Sequence, residues 1–474
     1  MSARYITTTL PYINADPHLG HTLEFVEADC FARAARLSGD ETFLNIGTDE
    51  HGEKIVQKAE QQGKHPQEYA DEYSARFKAF ADRLNISYDT FTRTTSGGHT
   101  AAAQEFWKRC EAAGDIYKAE YEIKYCVGCE LEKTDSELEH GHCPLHPKLD
   151  VEIRKEENYY FRFSKYQKNL IELYTTQPDF VLPKERLKEI RTFVAGGLKD
   201  FSISRRREKL SWGIPVPGDP DHVMYVWFDA LVNYVSAIGW PTDEERFKKW
   251  WPVTQLAGKD NLRQQAAMWQ AMLLSAGLAT SKQIFIHGFI TSGGQKMSKS
   301  LGNVINPLEL VEKYGSDAVR YILLRHVSPL EDSDLTHEAI HEHYTAHLTN
   351  GLGNLVARVM KLAETYLPEP IEKPKVTPFP QEYWDMVNTF QFNRAMDWIW
   401  VRVQALDERI TREEPFKLVK EDAEKGRVLI KELVTELYLI GRFLNPFMPE
   451  TNEIIKKTVL ANKKPENLFP RLTL

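Results

Sequence analysis

An α/β protein with a parallel sheet, interrupted by an inserted module and followed by an α-helical bundle, is the fold class that three observations predict. Short apolar, β-rich runs end abruptly in polar or glycine-containing turns and lead into helical spacing, the pattern of a parallel sheet with helices on both faces. Between Ile116 and His222 that pattern gives way to clustered cysteines, short β-like runs and a basic "SRRREK". From about Ala339 onward strand signals fade and helical periodicity takes over.

Taken in order, "RYITTTL" reads as the first strand, and "HTLEFVEADCFARAARLSG" as the helix after it, stopped at Gly39. "ETFLNIG" breaks into "TDEHG" before the helical "EKIVQKAEQQG". "VTQLAG" breaks into "KDN" before "LRQQAAMWQAMLLSAG", and "KQIFIHGFI" is another β-rich run. Ligands of such sheets bind beyond the carboxyl ends of the strands, which is where His18, His21, Asp49, His51, Lys259, Asp260 and His287 fall. "LVARVMKLAETYL", "FNRAMDWIWVRVQALDERI" and "VLIKELVTELYLIGRFL" are the helices of the last third, with the proline-rich "LPEPIEKPKVTPFP" as a break between the first two. The expected organisation is a sheet domain over 1–115 and 223–295, an insertion over 116–222, a loop and connecting region over 296–338, and a helical domain over 339–474.

Composition narrows the function. Of 474 residues, 42% are hydrophobic and 27% charged, which suits more than one core. The net charge of -8 argues against nucleic-acid binding by the whole surface, though a local basic patch would suffice. No apolar run approaches the roughly 18 residues that span a bilayer, and "MSARYITTTLPY" lacks the form of a secretory signal. Five cysteines are few for this length, so a reducing cytoplasm is expected rather than a disulfide framework.

Cys126 and Cys129 form Cys-x-x-Cys; Cys143 and His146 form Cys-x-x-His. Two close pairs on tight turns can close a tetrahedral site, and three thiolates with one imidazole suit structural Zn²⁺. His140 and His142 fit the paired spacing less well, and Cys30 and Cys110 lie in helical patterns as core residues. In "GGQKMSKSLGN", Lys296 and Lys299 sit on a glycine-flanked loop that could close over a polyphosphate; the plainer reading is a solvated lysine loop. The opening "PHLGH" starts a helix, whose free N–H groups suit phosphate. His-x-x-His could also ligate a metal, but the Glu of His-Glu-x-x-His is missing. Neither a Gly-x-x-x-x-Gly-Lys-Ser/Thr loop nor a Gly-x-Gly-x-x-Gly fingerprint occurs, which argues against a P-loop enzyme and a nicotinamide dehydrogenase.

"PHLGH" with "KMSKS" far downstream resembles the two signatures of class I aminoacyl-tRNA synthetases. "TTTLPYINADPHLGH", "GTDEHG", "GLKDFSISR", "WGIPVPGD", "YVWFDALVNY" and "HGFITSGGQKMSKS" are similar to the methionyl family in particular, over most of the chain. The resemblance implies a Rossmann-like catalytic domain, a zinc knuckle in the connective insertion and an anticodon-binding bundle. It implies that methionine is activated with ATP and Mg²⁺ to an adenylate, whose acyl group passes to tRNA. His18, Gly20 and His21 would hold ATP, with Lys296 and above all Lys299 over its leaving phosphates, Asp260 at the ribose and Arg205 as a further phosphate contact. Asp49 would take the substrate ammonium, and Leu10, Tyr12, Trp227, Ala230, Tyr234 and Gln265 would line the side-chain pocket. Asn354, Arg358 and Phe416 would meet the anticodon, with phenylalanine where the family has tryptophan.

One departure stands out. Asn261, Gln264 and Gln265 replace the aliphatic and aromatic–histidine residues usual in the family, either as a satisfied network around an unchanged cavity or as a change in its polarity. Methionine remains the expected substrate, and the span from PHLGH to KMSKS is too short for the editing insertion of the valine, isoleucine and leucine enzymes. A related synthetase for another apolar amino acid and a catalytically silent tRNA-binding paralogue are the alternatives. A monomer is expected.

Overall fold

The computed structural model describes residues 2–133, 137–297, 303–375 and 378–473. Its centre is a six-stranded sheet: β1 (Ala3–Thr8), β2 (Glu41–Thr48), β3 (Thr90–Arg93), β4 (Val181–Leu182), β5 (Val253–Gly258) and β6 (Gln283–His287). All pairings are parallel and the order is β3-β2-β1-β5-β6-β4. β5 is buried along its whole length, which is why "VTQLAG" reads as an apolar run rather than an alternation. From β1 the chain first builds outward through β2 and β3, then returns to the other side of β1 with β5. The crevice at that reversal is where such sheets bind ligands.

The helix Leu19–Leu37 covers one face of the sheet and buries most of its residues. It stops at Leu37, two residues before Gly39, whose φ of 95° is a left-handed conformation that suits glycine. The expected helix after "KDN" is different in detail: Gln264–Met268 form a π-helical turn before the α-helix Trp269–Ser275.

The inserted region carries a four-stranded antiparallel sheet built on the long pairing of Ile116–Cys126 with Glu152–Phe161. The same stretch also supplies β4 to the central sheet. Its two residues are too few to show alternation in sequence, yet buried Phe180 and Val181 join the core beside Ile284 and Ile286. The insertion is thus stitched into the sheet's edge.

Helices dominate after 339. Phe392–Glu413 buries Phe392, Ala395, Met396, Ile399, Val403, Leu406 and Ile410, the three- and four-residue spacing of one helical face. A single apolar core runs from Ile6 in β1 to Val459 in the bundle. At its polar centre Arg320, fully buried, lies 2.7 Å from Asp29. The same guanidinium donates to the carbonyls of Phe447 (2.8 Å), Pro446 (2.9 Å) and Leu84 (3.3 Å). No described helix is long and apolar enough to cross a membrane.

Candidate functional site

A cavity of about 720 Å³ opens at the carboxyl ends of β1 and β5. The ends of β1 and β2 are laced together there. Asp49 N–H donates to the Pro11 carbonyl at 2.9 Å, and Ile13 N–H to the Asp49 carbonyl at 3.2 Å. Leu10, Tyr12, His18, Gly20, His21, Asp49, Trp227, Ala230, Tyr234, Asp260 and Gln265 all line the cavity. Met297 lines it too, as do Val304 and Ile305, so the segments on both sides of 298–302 flank the same space as the histidines. Lys296 contributes its backbone to the strand Gln295–Lys296. Lys299 lies outside the described residues.

The two histidines cap the helix Leu19–Leu37. His18 Nδ1 accepts from the N–H groups of Gly20 (3.1 Å) and His21 (3.4 Å), and His21 Nδ1 accepts from His18 N–H at 3.4 Å. Their rings stack 3.6 Å apart. Burial, then the neighbouring His18, pushes His21 well below the ordinary imidazole range, so it is neutral at pH 7. A Cβ at Gly20 would sit 3.0 Å from the His18 ring, so glycine here serves the cap itself.

Acidic groups form the cavity's floor. Asp49 is buried and its Oδ1 has no hydrogen-bond partner. Burial, then the charges of Asp229, Glu130 and Glu50, raises its carboxyl well above the usual range. A cation placed against it would relieve that cost. Behind it, Asp229 is gripped by His51 (Nδ1, 2.6 Å) and His99 (Nε2, 2.7 Å). Burial opposes its charge, but the two imidazoles outweigh burial and hold its carboxyl at about 2.

The apolar side of the cavity is Leu10, Trp227, Ala230 and Tyr234. The amides that departed from expectation divide here. Gln265 belongs to a network in which Gln255 Nε2 donates to its Oε1 (2.8 Å), Ser281 Oγ donates to Gln255 Oε1 (2.5 Å) and Ser281 N–H to Gln270 Oε1 (2.9 Å). Gln264 faces protein instead, and its buried Oε1 has no hydrogen-bond partner. Asn261 lines the cavity mouth and donates to Asp260 Oδ1 at 3.3 Å.

Cys126, Cys129, Cys143 and His146 converge, their donor atoms all within 4.8 Å of one another, and could hold a metal ion. Cys129 Sγ lies 3.4 Å from Cys143 Sγ and 3.2 Å from His146 Nδ1. A Cβ at Gly128 would sit 2.4 Å from the His146 ring, so only glycine lets the two turns close. His142, one of the two alternative ligands, is half-buried, 3.9 Å from Asp150. The knuckle also reaches the cavity. Glu130, next to Cys129, accepts from Tyr12 Oη (3.2 Å) and Lys54 N–H (3.3 Å), while Lys54 Nζ donates to the Gly128 carbonyl at 2.7 Å.

Glu130, Asp229, His51 and His99 are site residues that sequence reasoning did not assign a role; only His51 had been placed at a strand end. Arg205 is not among the described residues that line the cavity. It is buried with its guanidinium over the Tyr225 ring (4.1 Å) and Nη1 donating to Ser202 Oγ (2.6 Å) and the Ser204 carbonyl (2.7 Å). The three expected anticodon residues are far along the chain in the bundle: Asn354 is exposed, Arg358 pairs with Asp407, and Phe416 is 42% exposed.

The family model described as tRNA synthetases class I (M) matches residues 4–149 and 146–360. The chain is 41% identical to the methionine–tRNA ligase of Nostoc sp., over 95% of this chain and 88% of that protein. It is 38% identical to the methionine–tRNA ligase of Thermotoga maritima, over 97% of this chain and 76% of that one. The solved structure of Mycobacterium tuberculosis methionyl-tRNA synthetase in complex with methionyl-adenylate superposes with a TM-score of 0.90 at 34% identity, covering all of this chain and 99% of the other.

Proposed function

The chain belongs to the class I methionyl-tRNA synthetases and ligates methionine to tRNA at the expense of ATP through methionyl-adenylate; from that premise we propose how its own residues divide the work. Asp49 receives the methionine ammonium. The observation that carries this role is its buried carboxylate, with one oxygen unpartnered, on the floor of a cavity whose other wall is apolar and aromatic. Leu10, Tyr12, Trp227, Ala230 and Tyr234 take the thioether side chain, a flexible, polarisable group suited to such a wall. Gln265, with both its amide oxygen and its backbone carbonyl engaged by neighbouring glutamines, leaves that wall's polarity largely satisfied, which favours methionine over a more polar substrate.

ATP lies along the amino terminus of the helix Leu19–Leu37, where His18, Gly20 and His21 line the cavity, with Asp260 at the ribose. The methionine carboxylate attacks the α-phosphorus, pyrophosphate leaves, and Lys296 and Lys299 stabilise the departing charge. The work is positioning and electrostatics. Mg²⁺ accompanying ATP would supply further neutralisation of the phosphates. Zn²⁺ held by Cys126, Cys129, Cys143 and His146 would be structural, since protein donors fill all four positions. Asn354, Arg358 and the exposed Phe416 meet splayed anticodon bases. A monomer is the simplest assembly for this chain, and five free cysteines suit a reducing cytoplasm.

ATP–pyrophosphate exchange with each amino acid supplied singly tests the reading. Methionine alone should support exchange, and Asp49→Asn should raise the methionine KM on the order of 10²-fold or more, as loss of one partner of a buried charge pair does. Exchange with leucine instead of methionine, or an unchanged KM in Asp49→Asn, would overturn it.

A further inference from the structure

Three histidines outside the catalytic cavity meet where the sheet region hands over to the bundle. His326 ends the helix Ser316–His326; His343 ends the helix His337–His343; His347 lies one turn further, in the π-helical stretch Tyr344–Gly353. His343 and His347 are four apart and share a face, a spacing that lets two imidazoles reach one cation. Wide π turns of this kind gather at functional sites. The ring of His326 stacks on that of His343 at 3.6 Å and lies 5.3 Å from that of His347.

We propose that His326, His343 and His347 form a second metal site, for a divalent transition metal of the zinc class, that braces the helix Ser316–His326 against the first turns of the helical bundle. Their donor atoms lie within 4.8 Å of one another. Metal–nitrogen bonds of about 2.0–2.1 Å require nitrogens roughly 3.3 Å apart. The rings of His343 and His347 lie within 5° and 12° of the His326 plane, so ligation requires each ring to turn about χ2 until its in-plane lone pair points at the shared ion.

The three rings are ready to ligate. His347 Nδ1 is shielded from solvent and has no hydrogen-bond partner. His326 Nε2 lies 3.1 Å from the Tyr321 hydroxyl; with its proton there, Nδ1 keeps its lone pair, the outer-shell arrangement that metal-binding histidines adopt. Among the described residues, Arg325 is the cation that faces the group. It is spoken for by Asp397 at 2.9 Å and by the Tyr321 hydroxyl at 2.6 Å, and Glu342 adds a compensating charge near His343 and His347. Imidazole donors without carboxylate or thiolate select zinc, nickel or copper over magnesium or calcium.

The test uses the full chain equilibrated with zinc chloride and then dialysed. About two zinc ions per chain are expected in the unmutated protein. His343→Gln with His347→Gln should retain about one, in the cysteine knuckle, and Cys143→Ser about one, in the histidine site. Zinc added to the Cys143→Ser protein should raise its Tm, and His326→Gln in that background should abolish the rise. Equal zinc content in the unmutated and His343/His347 proteins, both competent in methionine-dependent exchange, would overturn the proposal. So would a Tm of the Cys143→Ser protein that zinc does not move, a result needing no histidine variant to fold.

Discussion

At the scale of single residues, His287 shows how neighbours override burial. Burial alone would keep it neutral, but its hydrogen bond to Glu24 (3.3 Å) and the charges of Glu27 and Glu24 lift it to about 9. Its folded value stands above the ordinary 6.5, so the contribution to stability is complete below pH 6.5 and is lost as pH rises through about 9. His287→Gln should therefore flatten the alkaline fall in Tm between those values; parallel curves for the two proteins would show the pair to be inert. The two adjacent glutamines offer a matched contrast. Gln264→Met removes a buried, unpartnered oxygen and should stabilise by about 1 kcal/mol, whereas Gln265→Met strands the Gln255 amide and should destabilise by about 1–3 kcal/mol. Denaturant titration of both variants checks the signs. Motif text made Asp49 and the two histidines legible in the sequence. The division of labour between Gln264 and Gln265 was not legible, because it follows from a π turn that no periodicity announces.

At the scale of elements, the knuckle is more than a clip on the insertion. Its Glu130 holds the Tyr12 hydroxyl, and its Gly128 carbonyl holds Lys54, so the turn that carries the candidate metal ligands is also part of the cavity wall. Glu130→Gln keeps the shape but weakens charge-assisted bonds of about 1.5–3 kcal/mol in all. Methionine KM should rise by roughly 10-fold with little change in zinc content, while Cys143→Ser should lose the knuckle's metal and raise KM as well. Metal analysis beside steady-state exchange separates the two. The cysteine and histidine spacing exposed the knuckle to sequence reading. Glu130 stayed hidden because its meaning depends on Tyr12, a contact between segments far apart in the chain. The same holds for Asp229 with His51 and His99, three residues from three separate segments whose meeting no local pattern encodes.

At the scale of the whole molecule, alternation of strands and helices was enough to foresee the parallel sheet, and helical spacing enough to foresee the bundle. How the two attach was not legible. Beside the shared apolar core, the attachment uses Arg320, which in sequence is one more cation in "SDAVRYILLRH" and in the structure joins Asp29 to the carbonyls of Pro446 and Phe447. Arg320→Met strips a fully buried carboxylate of one of its two guanidinium partners and frees the bundle's carbonyls. A loss of about 3–5 kcal/mol is expected, read as an earlier, less cooperative unfolding transition. A transition as sharp and as late as that of the unmutated protein would mean the attachment lies elsewhere.

The order of the central sheet also bears on synthesis. β1 pairs on one side with β2, which follows it closely in sequence, but its other edge pairs with Val253–Leu256, more than half the chain later. Until then a row of backbone donors and acceptors stands open on the nascent polypeptide, an invitation to mispairing that a ribosome-bound chaperone or slow translation of the insertion would have to guard.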